Sequence, residues 1–109
     1  MNKISFFYSA EDVFNTSVRA LKKREYKILE VDENTNTIKA RLRKGVLKPV
    51  INVEMKIEKV SDTQSSLKII SDTKGGFLAP KNFSAKAEQK LVDTLYRLFE
   101  SLLNISVKG

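Results

Sequence analysis

The sequence predicts a single α+β domain of two layers, in which two helices cover one face of an antiparallel sheet. Three observations predict this class. Two segments, one near each end of the chain, carry apolar residues at helical spacing. Between them, several segments alternate apolar and polar residues, as half-buried strands do. Turn-forming residues separate these segments, and residues 1–109 have the length of one domain. The predicted element order is β-α-β-β-β-β-α.

The first strand and the first helix open the chain. Residues 4–8 read ISFFY, which predicts a strand buried on both faces. Ser9 is the expected cap of the helix that follows, because a serine side chain there accepts a hydrogen bond from a free backbone N–H. Glu11 and Asp12 lie in the first turn, where the helix dipole favours anions. The helix is expected to end near Glu25.

Four more strands are predicted over residues 26–31, 37–44, 50–59 and 65–72. The alternation is clearest in the second of them, where Ile38, Ala40 and Leu42 share one face. Residues 32–36 have turn composition and close a hairpin. Each of these strands has one apolar face, so the opposite face of the sheet is charged and can meet water.

The last helix is predicted over residues 83–104. Its apolar seam is spaced for one helix face and consists of Leu91, Leu95, Leu98, Leu102 and Ile105. A core helix packed on the sheet is the first interpretation of this seam. A partner-binding helix or a dimer seam is the alternative.

Composition excludes several kinds of chemistry. The chain has no histidine and no cysteine, so a Ser-His-Asp site, a disulfide or a thiolate metal site is impossible. We therefore predict a protein that is not an enzyme and has no cofactor. The chain has no apolar run near the roughly 18 residues of a membrane span, and no signal-peptide pattern. A cytoplasmic protein is expected, although a leader removed from the sequence stays an open alternative.

A basic strand is the first candidate site. Five cations with no intervening acid fall on the third strand and the connection after it: Lys39, Arg41, Arg43, Lys44 and Lys48. The net charge of the chain is +7. Such a patch suits the phosphates of a nucleic acid. The alternatives are a solvated sheet face, an edge strand charged against aggregation, or a patch neutralised by Glu54 and Glu58 in the neighbouring strand.

A glycine-containing loop is the second candidate site. It comprises Gly75, Gly76, Phe77 and Leu78. Two consecutive glycines can present backbone amides to an anion. The apolar pair after them can instead form a flap over a ligand or an anchor for a partner. The alternative is a turn whose apolar residues tuck under the end of the last helix.

The element order resembles two known arrangements. It matches the TATA-binding-protein-like order, and it is similar to a shortened helix-grip domain of the START/polyketide-cyclase type. The segment YSAEDVFNTSVRAL resembles the passage from strand to helix in such proteins, and YKILEVDENTNTIKARL resembles a hairpin of small bacterial domains of unknown function. The helix-grip resemblance implies a groove for an apolar ligand between the last helix and the sheet. The residues that would line such a groove are Tyr8, Phe14, Tyr26, Met55, Tyr96 and Phe99, and the alternative is that they are plain core residues.

Three functional hypotheses follow from the sequence. The first is a protein-interaction or structural module, with self-association through the sheet edges or the last helix. The second is a binder of an anionic partner, nucleic acid above all, through the basic strand. The third is a small helix-grip-like carrier of an apolar ligand.

Overall fold

The computed structural model describes the backbone of residues 2–43, 50–74 and 83–108, and the side chains of residues 3–43, 50–73 and 85–101. Within these ranges the predicted order β-α-β-β-β-β-α is confirmed. The elements are β1 (Asn2–Phe6), α1 (Ala10–Lys23), β2 (Lys27–Asp32), β3 (Thr37–Arg43), β4 (Val50–Ser61), β5 (Gln64–Lys74) and α2 (Phe83–Lys108). Strands β4 and β5 and helix α2 run a few residues beyond their predicted ends.

The strands form one antiparallel sheet in the order β1-β5-β4-β3-β2. Strands β4 and β5 make a long hairpin, with Val50 opposite Lys74 at one end and Ser61 opposite Gln64 at the other. The two edges of the sheet are β1 and β2. A bulge in β2 makes Leu29 the extra residue between two paired positions, and its side chain is exposed.

Both helices pack on one face of the sheet, and the core lies between the two layers. The sheet contributes Ile38, Met55, Leu67 and Ile69 as fully buried side chains. The helices contribute Val13, Leu21, Leu91 and Leu95. The seam of α2 is therefore a core seam over its described part, as the first interpretation predicted. The side chains of Leu102 and Ile105 lie outside the described residues.

The expectation that β1 is buried on both faces is wrong. Phe6 is buried, but Phe7 is 82% exposed. The reason is that the helices cover only one side of this sheet, and the strand itself ends at Phe6. An apolar run alone does not say whether a second layer covers the other face.

The two ends of α1 are fixed by local hydrogen bonds. The Oγ atom of Ser9 accepts a bond of 3.1 Å from the backbone N–H of Asp12, as predicted. At the other end, the N–H of Tyr26 donates to the carbonyl of Leu21 at 2.9 Å, and Glu25 takes a left-handed conformation with φ of 67°. This pattern is a Schellman motif, which reverses the chain after the helix. It buries the Tyr26 side chain beside Arg24, the residue that caps the helix.

Candidate anion-binding site

One end of the domain collects positive charge. Helix α1 and strands β3 and β5 end there, and β2, β4 and α2 begin there. We call this end the basic pole. The described cations at this end include Lys22, Lys23, Arg24, Lys27, Arg43, Lys86 and Lys90. The opposite end carries the acidic first turn of α1 and the β2–β3 turn with Asp32 and Glu33.

A pocket opens at the basic pole between the helices and the sheet, and we call it the basic-pole pocket. It encloses about 190 Å³ and is lined by Arg24, Tyr26, Leu42, Ile51, Lys86, Ala87 and Lys90. The buried part of this lining is apolar or aromatic, since Tyr26, Ile51 and Ala87 are each less than a tenth exposed. The two lysines are exposed, and Arg24 is half-buried. The pocket therefore combines an apolar floor with a cationic rim.

The cations of the rim are available to a ligand. Within the part of the chain that the structure describes, the ion pairs are Lys3–Glu58, Lys39–Glu30 and Lys59–Asp62. None of them involves a rim cation. Helix α2 adds to the positive potential, because its N-terminal end carries a partial positive charge and its first turn has no acidic residue.

Two buried polar groups lie near this rim. Burial raises the pKa of Tyr26 to about 12, the charge of Glu88 adds to the rise, and the guanidinium of Arg24 opposes it. Tyr26 is therefore neutral at physiological pH. Glu88 is buried, and its Oε1 atom has no hydrogen-bond partner among the described residues. The lining of the pocket contains three cations and no acidic residue, so the pocket is cationic.

The predicted basic strand lies where the sequence placed it, on the outer face of the sheet. Lys39, Arg41 and Arg43 are exposed. However, Lys39 Nζ is 3.5 Å from Glu30 Oε2, and Arg41 Nε donates to Asn52 Oδ1 at 3.0 Å. Two of these three cations therefore already have partners. Lys44 and Lys48 lie outside the described residues, and anion binding by this strand stays a prediction.

The predicted glycine loop, with Gly75, Gly76, Phe77 and Leu78, also lies outside the described residues. The elements on either side of it are described. Strand β5 ends at Lys74 opposite Val50, and α2 begins at Phe83. The end of β5 and the start of α2 both lie at the basic pole. A role of the loop in anion or partner binding stays a prediction.

The residues expected to line one apolar groove are divided among three places. Phe14 and Met55 are core residues, and Tyr26 lies in the basic-pole pocket. The other three belong to a second concavity, which we call the aromatic groove. It encloses about 590 Å³ and is lined by Ser5, Phe6, Phe7, Tyr8, Tyr96, Phe99 and Glu100. The rings of Tyr8 and Phe99 stack there, with centroids 4.2 Å apart.

The rim of the basic-pole pocket is not evident from the sequence pattern. Arg24 ends one helix and Lys86 and Lys90 begin the other, so these cations are far apart in the chain. Only the predicted topology indicates that these cations come together. Four antiparallel strands between the helices bring the end of α1 and the start of α2 to the same end of the sheet.

Two findings bear on other kinds of site. The described residues contain no group of three or more Asp, Glu, His or Cys side chains placed to hold a metal ion. No helix in the described ranges is long and apolar enough to cross a membrane.

Comparison with known proteins shows the fold. No protein-family model matches this sequence, and no curated protein sequence matches it. The chain is similar to a crystal structure of the adenylate sensor from AMP-activated protein kinase complexed with ATP, with a TM-score of 0.70, 16% identity, and coverage of 85% of this chain and 94% of that one. It is also similar to that sensor in complex with 5-aminoimidazole-4-carboxamide ribotide (ZMP), with a TM-score of 0.65, 17% identity and the same coverages, 85% and 94%. At this identity the likeness concerns the fold alone, a small α+β domain with an antiparallel sheet.

Proposed function

We propose that this chain is a non-catalytic binding module that holds a small organic anion in the basic-pole pocket. The observation that carries the proposal is the meeting of Arg24, Lys86 and Lys90 around a buried apolar floor. Like charges that share a site repel one another, and an anionic ligand relieves that repulsion. Each charge-assisted hydrogen bond to such a ligand is also stronger than a neutral one.

The shape of the pocket limits the ligand. Its volume of about 190 Å³ lies below the range of about 300–1,000 Å³ that is usual for pockets of drug-sized molecules. A single ring or a single anionic group fits inside, and the rest of a larger ligand would lie at the rim. The floor of Tyr26, Leu42 and Ile51 suits a ring. The rim suits a phosphate or a carboxylate attached to it.

The available side chains support binding rather than catalysis. The chain has no histidine or cysteine, the residues that most often act as base or nucleophile near neutral pH. Tyr26, the titratable group of the pocket floor, has a pKa of about 12 and keeps its proton at neutral pH. It can donate a hydrogen bond but is a poor base there.

Calorimetric titration with three probes tests the proposal. The adenylate-sensor structures contain a nucleotide, ATP or ZMP, so we choose AMP, adenosine and inorganic phosphate. AMP carries both a ring and a phosphate, whereas each of the others carries only one part. We expect AMP to bind more tightly than either part, and its affinity to fall as salt is raised. Binding of none of the three, even at low salt, would contradict the proposal.

Two charge-reversal variants test whether AMP binds in the basic-pole pocket. Lys90→Glu places a negative charge on the rim, and we expect AMP affinity to fall at least about tenfold, since a hydrogen bond to a charged group contributes about 1.5–3 kcal/mol. Lys23→Glu is the matched control, because Lys23 is exposed at the same pole but does not line the pocket. An equal loss in both variants would indicate a general effect of charge and not this pocket.

A protein partner is a second candidate, favoured by the aromatic groove. Phe7 lines this groove together with Tyr96 of the last helix, is 82% exposed and follows the end of the edge strand β1. An exposed aromatic side chain next to the edge strand of a sheet is a suitable anchor for a partner. Self-association would give twice the mass of the 12.4 kDa chain in light scattering, and Phe7→Ser would abolish it. Val60→Ser, which removes another exposed apolar side chain, is the control. A monomer at all concentrations would exclude self-association.

A further inference from the structure

Three lysines form a row across the outer face of the sheet. Lys3 of β1 is directly opposite Lys68 of β5, and Lys68 is directly opposite Lys56 of β4. Neighbouring strands lie about 4.8 Å apart, so the backbone positions of the three span about 10 Å. We call these residues the lysine row. Like charges directly opposite in adjacent strands destabilise a sheet.

The protein compensates this charge only in part. Lys3 Nζ is 4.0 Å from Glu58 Oε2, and both side chains are about two-thirds exposed, so this ion pair is weak. The partner of Lys56 on its other side is Thr37, which carries no charge. Glu54, the other acid of β4 near the row, stands opposite Lys39. Three cations are thus left with about one nearby acid.

The row also lines a depression in the sheet surface. Its walls are Lys3, Lys56, Glu58, Ser66 and Lys68, and it encloses about 210 Å³. Ser66 is buried and Lys68 is half-buried, so the site has a polar floor and is not only a set of extended side chains. A water molecule takes about 30 Å³ of liquid volume, so the depression has room for an oxyanion with several waters.

We infer that the lysine row is a binding site for a tetrahedral oxyanion, a phosphate group above all. Lysine binds phosphate as a compact point charge with three donors. Three such groups can neutralise a dianion, and the hydroxyl of Ser66 can add a further hydrogen bond from the floor. The anion would also remove the repulsion between Lys68 and its two neighbours. The site lies on the outer face and shares no residue with the basic-pole pocket.

Thermal unfolding in matched salts tests this inference. In chloride at low ionic strength, Lys68→Gln should unfold at a higher temperature than the natural sequence, because it removes the central charge of the row. Phosphate at the same ionic strength should stabilise the natural sequence more than the variant. Lys39→Gln is the control on the same face, since Lys39 has Glu30 as a partner. It should respond to phosphate as the natural sequence does.

A direct titration completes the test. Inorganic phosphate and glycerol 3-phosphate are titrated in parallel, which distinguishes a free anion from a phosphate ester as the ligand. We expect Lys68→Gln to weaken binding by about tenfold, the effect of losing one hydrogen bond to a charged group. Binding of either probe that is lost in this variant supports the site. Absence of binding by both, or equal binding in the variant, overturns it. Binding that Lys90→Glu weakens and Lys68→Gln leaves unchanged belongs to the basic-pole pocket, which separates the site from the proposed function.

Discussion

The buried phenol of Tyr26 makes the stability of the domain depend on alkaline pH in a calculable way. Its pKa is about 12 in the folded protein, against 10.0 for an unperturbed tyrosine, chiefly because burial disfavours the charged form. Between these two values the unfolded chain loses the proton while the folded chain keeps it. The stabilisation is therefore fully present below pH 10 and is lost as the pH rises toward 12.

The size of the loss follows from the shift. One pKa unit corresponds to about 1.4 kcal/mol, so near pH 11 the folded state should have lost about 1.4 kcal/mol of stability through this group. Near pH 12 and above, the loss approaches about 2.7 kcal/mol. Because alkaline pH has other effects on the protein as well, the quantity to compare is the difference between the natural sequence and Tyr26→Phe.

Urea unfolding of both proteins near pH 8 and near pH 11 gives that difference. We expect Tyr26→Phe to gain about 1.4 kcal/mol relative to the natural sequence as the pH is raised. Phe14→Leu is the control, because it changes a buried side chain that has no titratable group, and its stability relative to the natural sequence should be the same at both pH values. A difference between Tyr26→Phe and the natural sequence that is the same at both pH values would refute the burial of the Tyr26 hydroxyl, and with it the structure of the pocket floor.

Two further substitutions test the fold. Glu25→Gly should stabilise the domain by up to about 1 kcal/mol in urea unfolding. Glu25 has a φ of 67°, and this left-handed conformation costs a residue with a Cβ atom about 1–2 kcal/mol. Glycine avoids that cost but loses about 0.5–1 kcal/mol in chain entropy on folding. Glu25→Ala keeps the Cβ atom and should show no such gain; equal gains would contradict the left-handed conformation. Met55→Ala should destabilise by about 2–5 kcal/mol, because Met55 is fully buried between Ile38 and Ile69 in the centre of the sheet. Met55→Leu should cost less than about 1.5 kcal/mol, and a similar loss in both would argue against a cavity as the cause.

The fold could be predicted because the sequence patterns that indicate its strands, caps and helices are local. The alternation at Ile38, Ala40 and Leu42 depends only on the strand period, and the structure buries the first two and partly buries the third. The cap at Ser9 depends on three residues of one turn. The seam of α2 depends on helical spacing. Each of these patterns involves residues that are close together in the chain.

The candidate sites were harder to predict because they depend on register and on distant neighbours. The partner of Lys39 comes from β2, where a bulge changes the register before Glu30. Lys3, Lys56 and Lys68 are ordinary outward lysines in three separate strands, and only the pairing of those strands makes them a row. The sequence gives the alternation of each strand but not which residues stand opposite each other.

The most direct test of the proposed function is to map AMP binding on the backbone amides by NMR. We expect the chemical-shift changes to concentrate around the basic-pole pocket, at Arg24, Tyr26, Lys86, Ala87 and Lys90. They should saturate together along one binding curve. Changes confined to the outer face of the sheet, or no saturable change at all, would contradict the claim that this pocket holds a small organic anion.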